Sequence, residues 1–258
     1  MDPKVVVVTG ASSGIGAALA KNLGSKGHSL VLGARREEML RNVASEAGAR
    51  TVAVVTDVTR RKDHERLRDA AIKEFGRVDV WVNNAGRGTG STVMELTDEE
   101  FQSVLDVVLK SVLYGTQTIV PHFIERGEGH LINVSSFLGR VPLISFRSVY
   151  CAAKSGVNML GASLRMDLRS KYPGIHVSTV MPGIVDTEFH KTVGTPMRFE
   201  PGQHVGPLVV ETADDVAAQI ASLIDHPVPE LYTGPSMASV AQDYYRDVGA
   251  FEERMGRR

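Results

Sequence analysis

The sequence contains a single cysteine, almost no net charge and only a short apolar run near its N-terminus. With Cys151 alone, no intrachain disulfide can form, which fits a reducing compartment. A formal net charge of -1 provides no strong field for nucleic acid or for an anionic membrane. The valine run from Val5 to Val8 is too short for a signal-peptide core or a membrane span. We therefore expect a cytoplasmic protein that binds neither nucleic acid nor membrane.

Short apolar runs alternate with segments of helical period along the chain. The runs, rich in β-branched residues, predict seven strands at 5–9, 29–33, 51–55, 78–83, 130–135, 175–181 and 231–233. Between them, apolar residues recur at helical spacing, as in Val157, Leu160, Leu164 and Leu168. This alternation predicts an α/β fold in one doubly wound domain over residues 1–258, with a seven-stranded parallel sheet and helices on both faces.

The segment from about 184 to 211 departs from this pattern, because it is rich in Gly, Pro, Thr and His. An irregular stretch of this length inside a compact domain is usually functional or mobile. We interpret it as a lid over a substrate, with a tolerated surface insertion as the alternative. His190 and His204 lie in it and are candidates for the pocket wall. Since no histidine pair has metal-ligand spacing with a third partner nearby, we expect no metal.

A glycine-rich loop joins the first predicted strand to the first predicted helix, where Thr9 to Gly16 reads TGASSGIG. Gly10 suits a tight turn, and Gly14 and Gly16 allow backbone amides to approach a pyrophosphate at a helix N-terminus. The Gly-x3-Gly-x-Gly spacing differs from the commonest dinucleotide fingerprint. Its position in the first βα unit nevertheless favours a dinucleotide site over a merely tight turn.

The end of the second predicted strand indicates which dinucleotide is bound. Arg35 and Arg36 stand where an NAD site usually has an acid that accepts a hydrogen bond from the ribose 2′-hydroxyl. Because a guanidinium pairs well with a 2′-phosphate, we predict NADP(H) rather than NAD(H). The alternative is that both arginines only begin a solvated helix. After the third strand, Asp57 and Val58 are placed to flank an adenine, although Asp57 could equally cap a helix.

Several motifs in consistent order resemble the short-chain dehydrogenase/reductase family, in its single-domain Rossmann-type branch. The loop at 9–16 is similar to the TGxxxGIG motif, residues 83–86 to NNAG and residues 150–154 to YxxxK. Pro182-Gly183, with Thr187 beyond, resembles the stretch that the family places beside the cofactor carboxamide. The resemblance and the loop chemistry together predict these cofactor-binding residues: Gly10, Ser12, Ser13, Gly14, Ile15, Gly16, Arg35, Arg36, Asp57, Val58, Asn84, Ala85, Gly86, Tyr150, Lys154, Pro182, Gly183, Val185 and Thr187.

The resemblance further implies that Ser136, Tyr150 and Lys154 are catalytic, and that Lys154 also holds the nicotinamide ribose. Tyr150 and Lys154 are four residues apart and so share a helix face. We expect the nearby ammonium to lower the pKa of the phenol and bring it toward working pH. Ser136 would hold a carbonyl beside Tyr150, with Ser135 as the alternative. Cys151 is interpreted as a small buried residue, not a nucleophile.

One position departs from the family pattern. The segment 106–111 reads DVVLKS, so Val108 stands where many relatives carry an asparagine. In the family that residue lies at a helix kink, and its main-chain carbonyl takes part in a proton relay to the lysine. Val108 lacks the side chain that favours the kink. We therefore expect proton transfer to be slower or rerouted.

These observations predict an NADP(H)-dependent oxidoreductase that interconverts a ketone or aldehyde and an alcohol. The pocket walls are expected at 86–93, 137–148 and 184–197, with no Arg or Lys cluster that would bind a phosphate or polycarboxylate. An apolar or aromatic substrate is favoured by Phe137, Leu138, Val141, Leu143, Ile144 and Phe146. The alternatives are reduction of C=C or C=N bonds and NADP sensing without turnover.

The predicted long helices at 99–126 and 149–171 bear on assembly. Relatives often form dimers and tetramers through such helices, and two-fold symmetric assemblies are common. The resemblance therefore implies a homo-oligomer, either a dimer or a tetramer. The alternative is that the apolar faces of these helices only cover the sheet.

Overall fold

A seven-stranded parallel sheet forms the centre of the computed structural model, which describes residues 2–48, 50–189 and 199–256. Its order is β3-β2-β1-β4-β5-β6-β10, so the chain runs outward on both sides of β1. The predicted strands and their parallel arrangement are confirmed. Their bounds are β1 (Val5–Thr9), β2 (Ser29–Ala34), β3 (Thr51–Val55), β4 (Val80–Asn83), β5 (Gly129–Val134), β6 (Ile175–Met181) and β10 (Glu230–Tyr232).

Helices cover both faces of this sheet, as predicted. One face carries α1 (Gly14–Ser25), α2 (Glu37–Ala47) and α7 (Ala213–Asp225). The other carries α3 (Arg61–Phe75), α5 (Ser111–Arg126) and α6 (Ser148–Leu168). Strands covered on both faces must be apolar along their length, which accounts for the buried valines of β1. In the part of the chain that the structure describes, no helix combines the length and hydropathy needed to cross a membrane.

The helix expected over 99–126 is interrupted, which corrects the prediction. α4 (Asp98–Val104) leads into a π-helical turn over Leu105–Lys110, and α5 follows. Ser111 Oγ donates a hydrogen bond to the Val107 carbonyl at 2.6 Å, and the Val108 side chain is fully buried against Tyr150. The irregular turn therefore forms without the asparagine, supported by a hydroxyl and by packing. The second long helix, α6, ends at Leu168, short of the expected 171.

The segment at 184–211 is not irregular throughout, contrary to its composition. It contains β7 (Ile184–Asp186), β8 (His204–Val205) and most of β9 (Leu208–Thr212), which form a small sheet in the order β7-β9-β8. Gly206, with φ +58°, and Pro207 make the two-residue turn between β8 and β9. Residues 190–198, which include His190, lie outside the described residues.

Two C-terminal helices follow the sheet, where the sequence indicated no element. They are α8 (Met237–Arg246) and α9 (Val248–Gly256). Their apolar residues Met237, Ala241 and Phe251 share a core cluster with Phe137 and Leu208. Helices α8 and α9 thereby pack against the segment that follows β5 and against β9.

A buried histidine of β5, His130, hydrogen-bonds β6. His130 Nε2 lies 2.8 Å from Ser178 Oγ, which itself donates to the Val228 carbonyl at 2.6 Å. Since the serine proton is used, Nε2 must carry the histidine proton, and Nδ1 has no partner among the described residues. Burial, together with the neighbouring His176, lowers the pKa of His130 to about 3.

Acid should therefore destabilise the protein through His130. The unfolded chain binds a proton near pH 6.5 and the folded one only near pH 3, so stability falls as pH decreases through this window. The variant His130→Gln keeps a donor toward Ser178 but cannot bind this proton. Its unfolding free energy should therefore fall less steeply with decreasing pH than that of wild type, and the two slopes should differ by up to about 1.4 kcal/mol per pH unit. Chemical denaturation between pH 7 and 4.5, with exposed His226→Gln as control, measures this. Parallel curves for wild type and His130→Gln would contradict the assignment.

Candidate active site

A cavity of about 590 Å³ opens at the carboxyl ends of the central strands. It lies where β1 neighbours both β2 and β4, which is the topological switch point at which open α/β sheets bind ligands. All of the sequence-predicted catalytic and cofactor-binding residues line it except Gly16. The structure therefore brings together residues from seven separate stretches of the chain.

The glycine loop approaches its neighbours too closely for side chains. Gly10 has φ +67°, and a Cβ there would lie 2.7 Å from Ala85 Cα. A Cβ on Gly16 would lie 2.4 Å from the Gly10 carbonyl oxygen and 2.5 Å from Asn84 Nδ2. Gly16 thus acts behind the cavity, because its missing side chain lets helix α1 close against the loop.

A set of hydrogen bonds ties this loop to the chain after β4. Asn84 Nδ2 donates to the carbonyls of Thr9 and Gly10, at 2.9 and 3.2 Å. Thr9 Oγ1 accepts from the amides of Asn84 and Ala85 and donates to the Val82 carbonyl. One threonine and one asparagine therefore hold the two loops at a constant separation.

The N-terminus of α1 faces the same cavity. Its N-cap residue Ser13 is extended and makes no side-chain capping bond, so its hydroxyl does not occupy the free amides of the first turn. Free amides and the helix dipole favour an anion at this point. A loop that a Cβ would fill, beside an uncapped helix N-terminus, fits the pyrophosphate of a dinucleotide.

Arginines and an aspartate line the far end of the cavity. Arg36 donates from Nη2 to Ser13 Oγ at 2.6 Å and to Ser12 Oγ at 3.0 Å, whereas Arg35 is exposed. Asp57 accepts from the amide and hydroxyl of Thr59. Burial raises the pKa of Asp57, but these hydrogen bonds outweigh it and the net pKa is lowered. Asp57 thus both organises the turn before α3 and lines the cavity.

Ser136, Tyr150 and Lys154 are brought together by β5 and α6. All three are at least nine-tenths buried, and the Ser136 hydroxyl lies close enough to the Tyr150 phenol to act on its pKa. Lys154 Nζ donates to the Val134 carbonyl at 2.7 Å and lies 5.7 Å from the Tyr150 ring centroid. The competing residue, Ser135, donates instead to the Lys154 carbonyl at 3.1 Å. The geometry therefore places Ser136, and not Ser135, beside the phenol.

The prediction that the Lys154 ammonium lowers the pKa of the Tyr150 phenol is wrong for the protein by itself. Burial raises the pKa of Tyr150 to about 12, against opposing contributions from the Ser136 hydroxyl and the charge of Arg147. Burial also lowers the pKa of Lys154 to about 7, so its charge is only partly present at neutral pH. The lysine is directed at a carbonyl and not at the phenol, which explains why desolvation dominates. Burial likewise raises the pKa of Cys151 to about 11, which keeps the thiol protonated.

The stretch after β6 forms a further part of the cavity wall. The Pro182 carbonyl accepts from the Phe137 amide at 2.8 Å, and Val185 lies in β7. A Cβ on Gly183 would lie 2.2 Å from Met237 Cε, so Met237 of α8 packs directly against this glycine. Thr187 packs near Gly14, whose Cβ would lie 3.3 Å from it. These contacts bring the glycine loop and the end of β6 to opposite sides of one space.

The substrate walls agree with the sequence only in part. Phe137, Leu138, Leu143 and Ile144 line the cavity, as predicted. Several predicted wall residues do not line it, because they are buried in a core or exposed to solvent: residues 87–93, Val141, Phe146 and His204.

The sequence missed several wall residues, and Arg147 and Met255 are two of them. Arg147 falls inside the expected wall at 137–148, but only the apolar residues there entered the prediction. Met255 reaches the cavity from α9, more than 100 residues along the chain from Tyr150, and no local pattern indicates such a contact. Across residues 2–48, 50–189 and 199–256, no group of three or more His, Cys, Asp or Glu side chains is arranged to hold a metal ion.

Comparison with known sequences assigns the family. The model of the short chain dehydrogenase family matches residues 4–197. The chain belongs to the short-chain dehydrogenase family. An uncharacterised oxidoreductase of Listeria innocua is 35% identical over 241 residues, which cover 90% of this short-chain dehydrogenase and 96% of the relative.

Solved structures agree with this assignment. A short-chain dehydrogenase/reductase from Burkholderia phymatum in complex with NAD matches with a TM-score of 0.85 and 27% identity, over 96% of this chain and 95% of that one. An alcohol dehydrogenase from Thermococcus sibiricus complexed with 5-hydroxy-NADP matches with a TM-score of 0.76 and 28% identity, over 90% and 97%. A nicotinamide cofactor is therefore supported, while these neighbours do not distinguish NAD from NADP.

Gly16→Ala should disrupt the loop that the glycines form. The added Cβ collides with the Gly10 carbonyl and the Asn84 amide, so we expect a loss of about 1–3 kcal/mol in stability, as overpacking typically costs. Binding of NADP(H) should weaken in parallel. Thermal unfolding and fluorescence titration with NADPH measure both effects. Gly249→Ala is the matched control, since the nearest atom would be 3.7 Å away. Unchanged binding and melting in Gly16→Ala would refute the close-approach argument.

Proposed function

We propose that this short-chain dehydrogenase is an NADP(H)-dependent oxidoreductase that interconverts a ketone or aldehyde and an alcohol. The observation that carries the proposal is the buried pair of Ser136 and Tyr150 hydroxyls in the cavity wall, with Lys154 one helical turn beyond. Two hydroxyls side by side can hold and protonate a carbonyl oxygen. The family and the nicotinamide complexes of its neighbours support hydride transfer as the partner step.

The residues that would hold the cofactor follow from the cavity. The glycine loop and α1 would receive the pyrophosphate, and the chain at 84–86 would border the nicotinamide ribose. Arg35 and Arg36 would meet the adenosine 2′-phosphate, for which their charge and planar shape are suited. When bound, NADP(H) supplies the hydride to the carbonyl carbon or accepts it from the alcohol.

The protein supplies the proton. Because burial raises its pKa to about 12, Tyr150 is protonated at neutral pH and is the general acid during reduction. Ser136 would orient the carbonyl oxygen toward Tyr150. Lys154 would hold the ribose hydroxyls and return a proton to Tyr150 after each turnover. Because Val108 replaces the usual asparagine, a slower or rerouted proton supply remains a prediction.

The wall around Tyr150 supports an apolar or aromatic substrate. Phe137, Leu143 and Ile144 contribute apolar surface, and the Phe189 ring lies 5.6 Å from the Tyr150 ring. The chain at 184–189 and at 205–208 lies over this wall, which supports the proposed lid.

Carbonyl reduction predicts a specific response to Tyr150→Phe. Without the phenolic proton, kcat for ketone reduction should fall about 10²- to 10⁴-fold, the usual contribution of general acid catalysis. NADPH binding should be retained, because the hydroxyl is not among the groups that bind the pyrophosphate. Steady-state NADPH consumption, measured with panels of ketones, imines and enones, tests the proposal.

Ser135→Ala is the matched control for Ser136→Ala. We expect Ser136→Ala to lower kcat more, because the Ser136 hydroxyl lies beside the Tyr150 phenol, whereas the Ser135 hydroxyl donates to the Lys154 carbonyl. Turnover of enones or imines alone would favour the alternative reductase activities. Cofactor binding without turnover of any panel would favour an NADP-sensing protein.

Arg35→Asp should reverse the cofactor preference. The substitution removes a cation that would pair with the 2′-phosphate and supplies an acid for a 2′-hydroxyl. The affinity for NADPH should fall by roughly 10- to 100-fold, the value of one charge-assisted interaction, and that for NADH much less. Titrations with both cofactors measure it. Arg41→Asp, an exposed arginine of α2, is the control. Equal effects on both cofactors would reject the NADP assignment.

Assembly and location remain predictions. Phe101, Met159 and Met166 expose apolar surface on α4 and α6, which supports pairing between copies of this chain through these helices. On this basis and on the family resemblance, we propose a homo-oligomer, either a dimer or a tetramer. The proposed cytoplasmic location rests instead on the single cysteine and the short apolar run near the N-terminus.

A further inference from the structure

A buried arginine stands in the cavity wall three residues before Tyr150. Arg147 immediately precedes α6, is 5% exposed and lines the cavity beside Ile144 and Phe189. A buried charge is costly unless hydrogen bonds or an ion pair compensate it. The environment of this guanidinium therefore indicates what it is there to bind.

Its compensation within the protein is slight. Of the five N–H donors of a guanidinium, one has a partner among the described residues: Nη1 donates to the Thr89 carbonyl at a long 3.4 Å. Among the described residues, no carboxylate lies within 4 Å of the Arg147 side-chain nitrogens, since no ion pair includes this arginine. The rings of Phe146 and Phe189 lie 5.9 and 5.6 Å away and supply only a weak attraction.

The unused donors of Arg147 are not sealed inside the protein. Within the described residues, some side-chain nitrogens, such as Arg126 Nε, have neither solvent access nor a hydrogen-bond partner. No side-chain nitrogen of Arg147 is in that state. Since the residue is buried and lines the cavity, its free N–H groups are reached from there. The start of α6 lies at the same place and has no side-chain cap, so its amides add to the positive potential.

We propose that Arg147 binds a carboxylate of the substrate, so that the compounds turned over best are oxo acids, and the matching hydroxy acids, with an apolar remainder. This rests on the proposed carbonyl chemistry. The planar fork of a guanidinium matches a carboxylate in shape and charge. The carboxylate itself is unchanged in the reaction: hydride adds to the carbonyl carbon, and the Tyr150 proton goes to the carbonyl oxygen.

The apolar wall and the arginine would then contact different parts of one substrate. Phe137, Leu143 and Ile144 would contact the apolar remainder, and Arg147 would fix the end that carries charge. Because Arg147 and Tyr150 are one helical turn apart, anchoring the carboxylate would also place the carbonyl near the phenol.

The competing role for Arg147 is electrostatic and needs no anionic substrate. Its charge opposes the burial that raises the pKa of Tyr150, so its loss could alter proton transfer for every substrate. The two roles differ in what they change. Anion binding affects KM for acids only, whereas an effect through Tyr150 affects kcat and its pH profile for acids and esters alike.

The kinetic test compares acids with their esters. The probes are 2-oxo-2-phenylacetate and 4-oxo-4-phenylbutanoate, each with its methyl ester, assayed with NADPH. We expect wild type to prefer at least one acid, and Arg147→Gln to lower its kcat/KM about 10- to 100-fold through KM, the loss of one charge-assisted pair. The ester rates should change little. Arg147→Lys should retain part of the preference, and Arg169→Gln, at an exposed arginine directly after α6, should retain all of it.

A binding test decides the proposal even if no probe is turned over. Calorimetry with saturating NADP⁺ compares 4-phenylbutanoate with 4-phenylbutanamide, which differ mainly in charge. Tighter binding of the acid by wild type, lost in Arg147→Gln, supports the proposal whether or not carbonyl reduction is found. Equal binding of acid and amide by wild type, or a preference that survives in Arg147→Gln, overturns it. Equal losses of kcat for acids and esters, with a shifted pH profile, also overturn it and assign Arg147 to Tyr150.

Discussion

The close contact between the loops after β1 and β4 is the constraint on which the site depends. Thr9 and Asn84 exchange hydrogen bonds across the point where the strand order diverges. Strands that diverge in this way leave a crevice, and these bonds keep its two edges at a constant distance. Glycines are needed at positions 10 and 16 because any Cβ would meet the backbone or the asparagine of the opposite loop.

Burial governs the chemistry on the other side of the crevice. Tyr150, Lys154 and Arg147 are all enclosed near the start of α6, where water does not stabilise their charged forms. The phenol is consequently held in its protonated form, and the pKa of the lysine comes close to neutrality. A site that is dry enough to shift these groups also strengthens each electrostatic contact made within it.

The irregular turn at 105–110 shows how packing replaces a missing side chain. In the family pattern an asparagine accompanies the helix kink, and here Val108 fills the space against Tyr150 while Ser111 binds the Val107 carbonyl. A helix break is therefore compatible with a β-branched apolar residue when a neighbouring hydroxyl satisfies a carbonyl that the turn leaves free.

The sequence by itself determined the seven strands of the central sheet, with bounds to within two residues, and the motifs of the site, because buried parallel strands and glycine loops leave strong local patterns. It also pointed to the hydroxyl–phenol–lysine constellation through spacing and resemblance. It could not show that the pKa of Tyr150 is raised, since the burial of this residue depends on elements far apart in the chain. The hairpin at 204–212 had a local signal in Gly206-Pro207, but the surrounding composition hid it. Only the tertiary structure brought Met255 to the cavity and left the Arg147 guanidinium facing it with little compensation, because both depend on contacts between distant segments that no periodicity records.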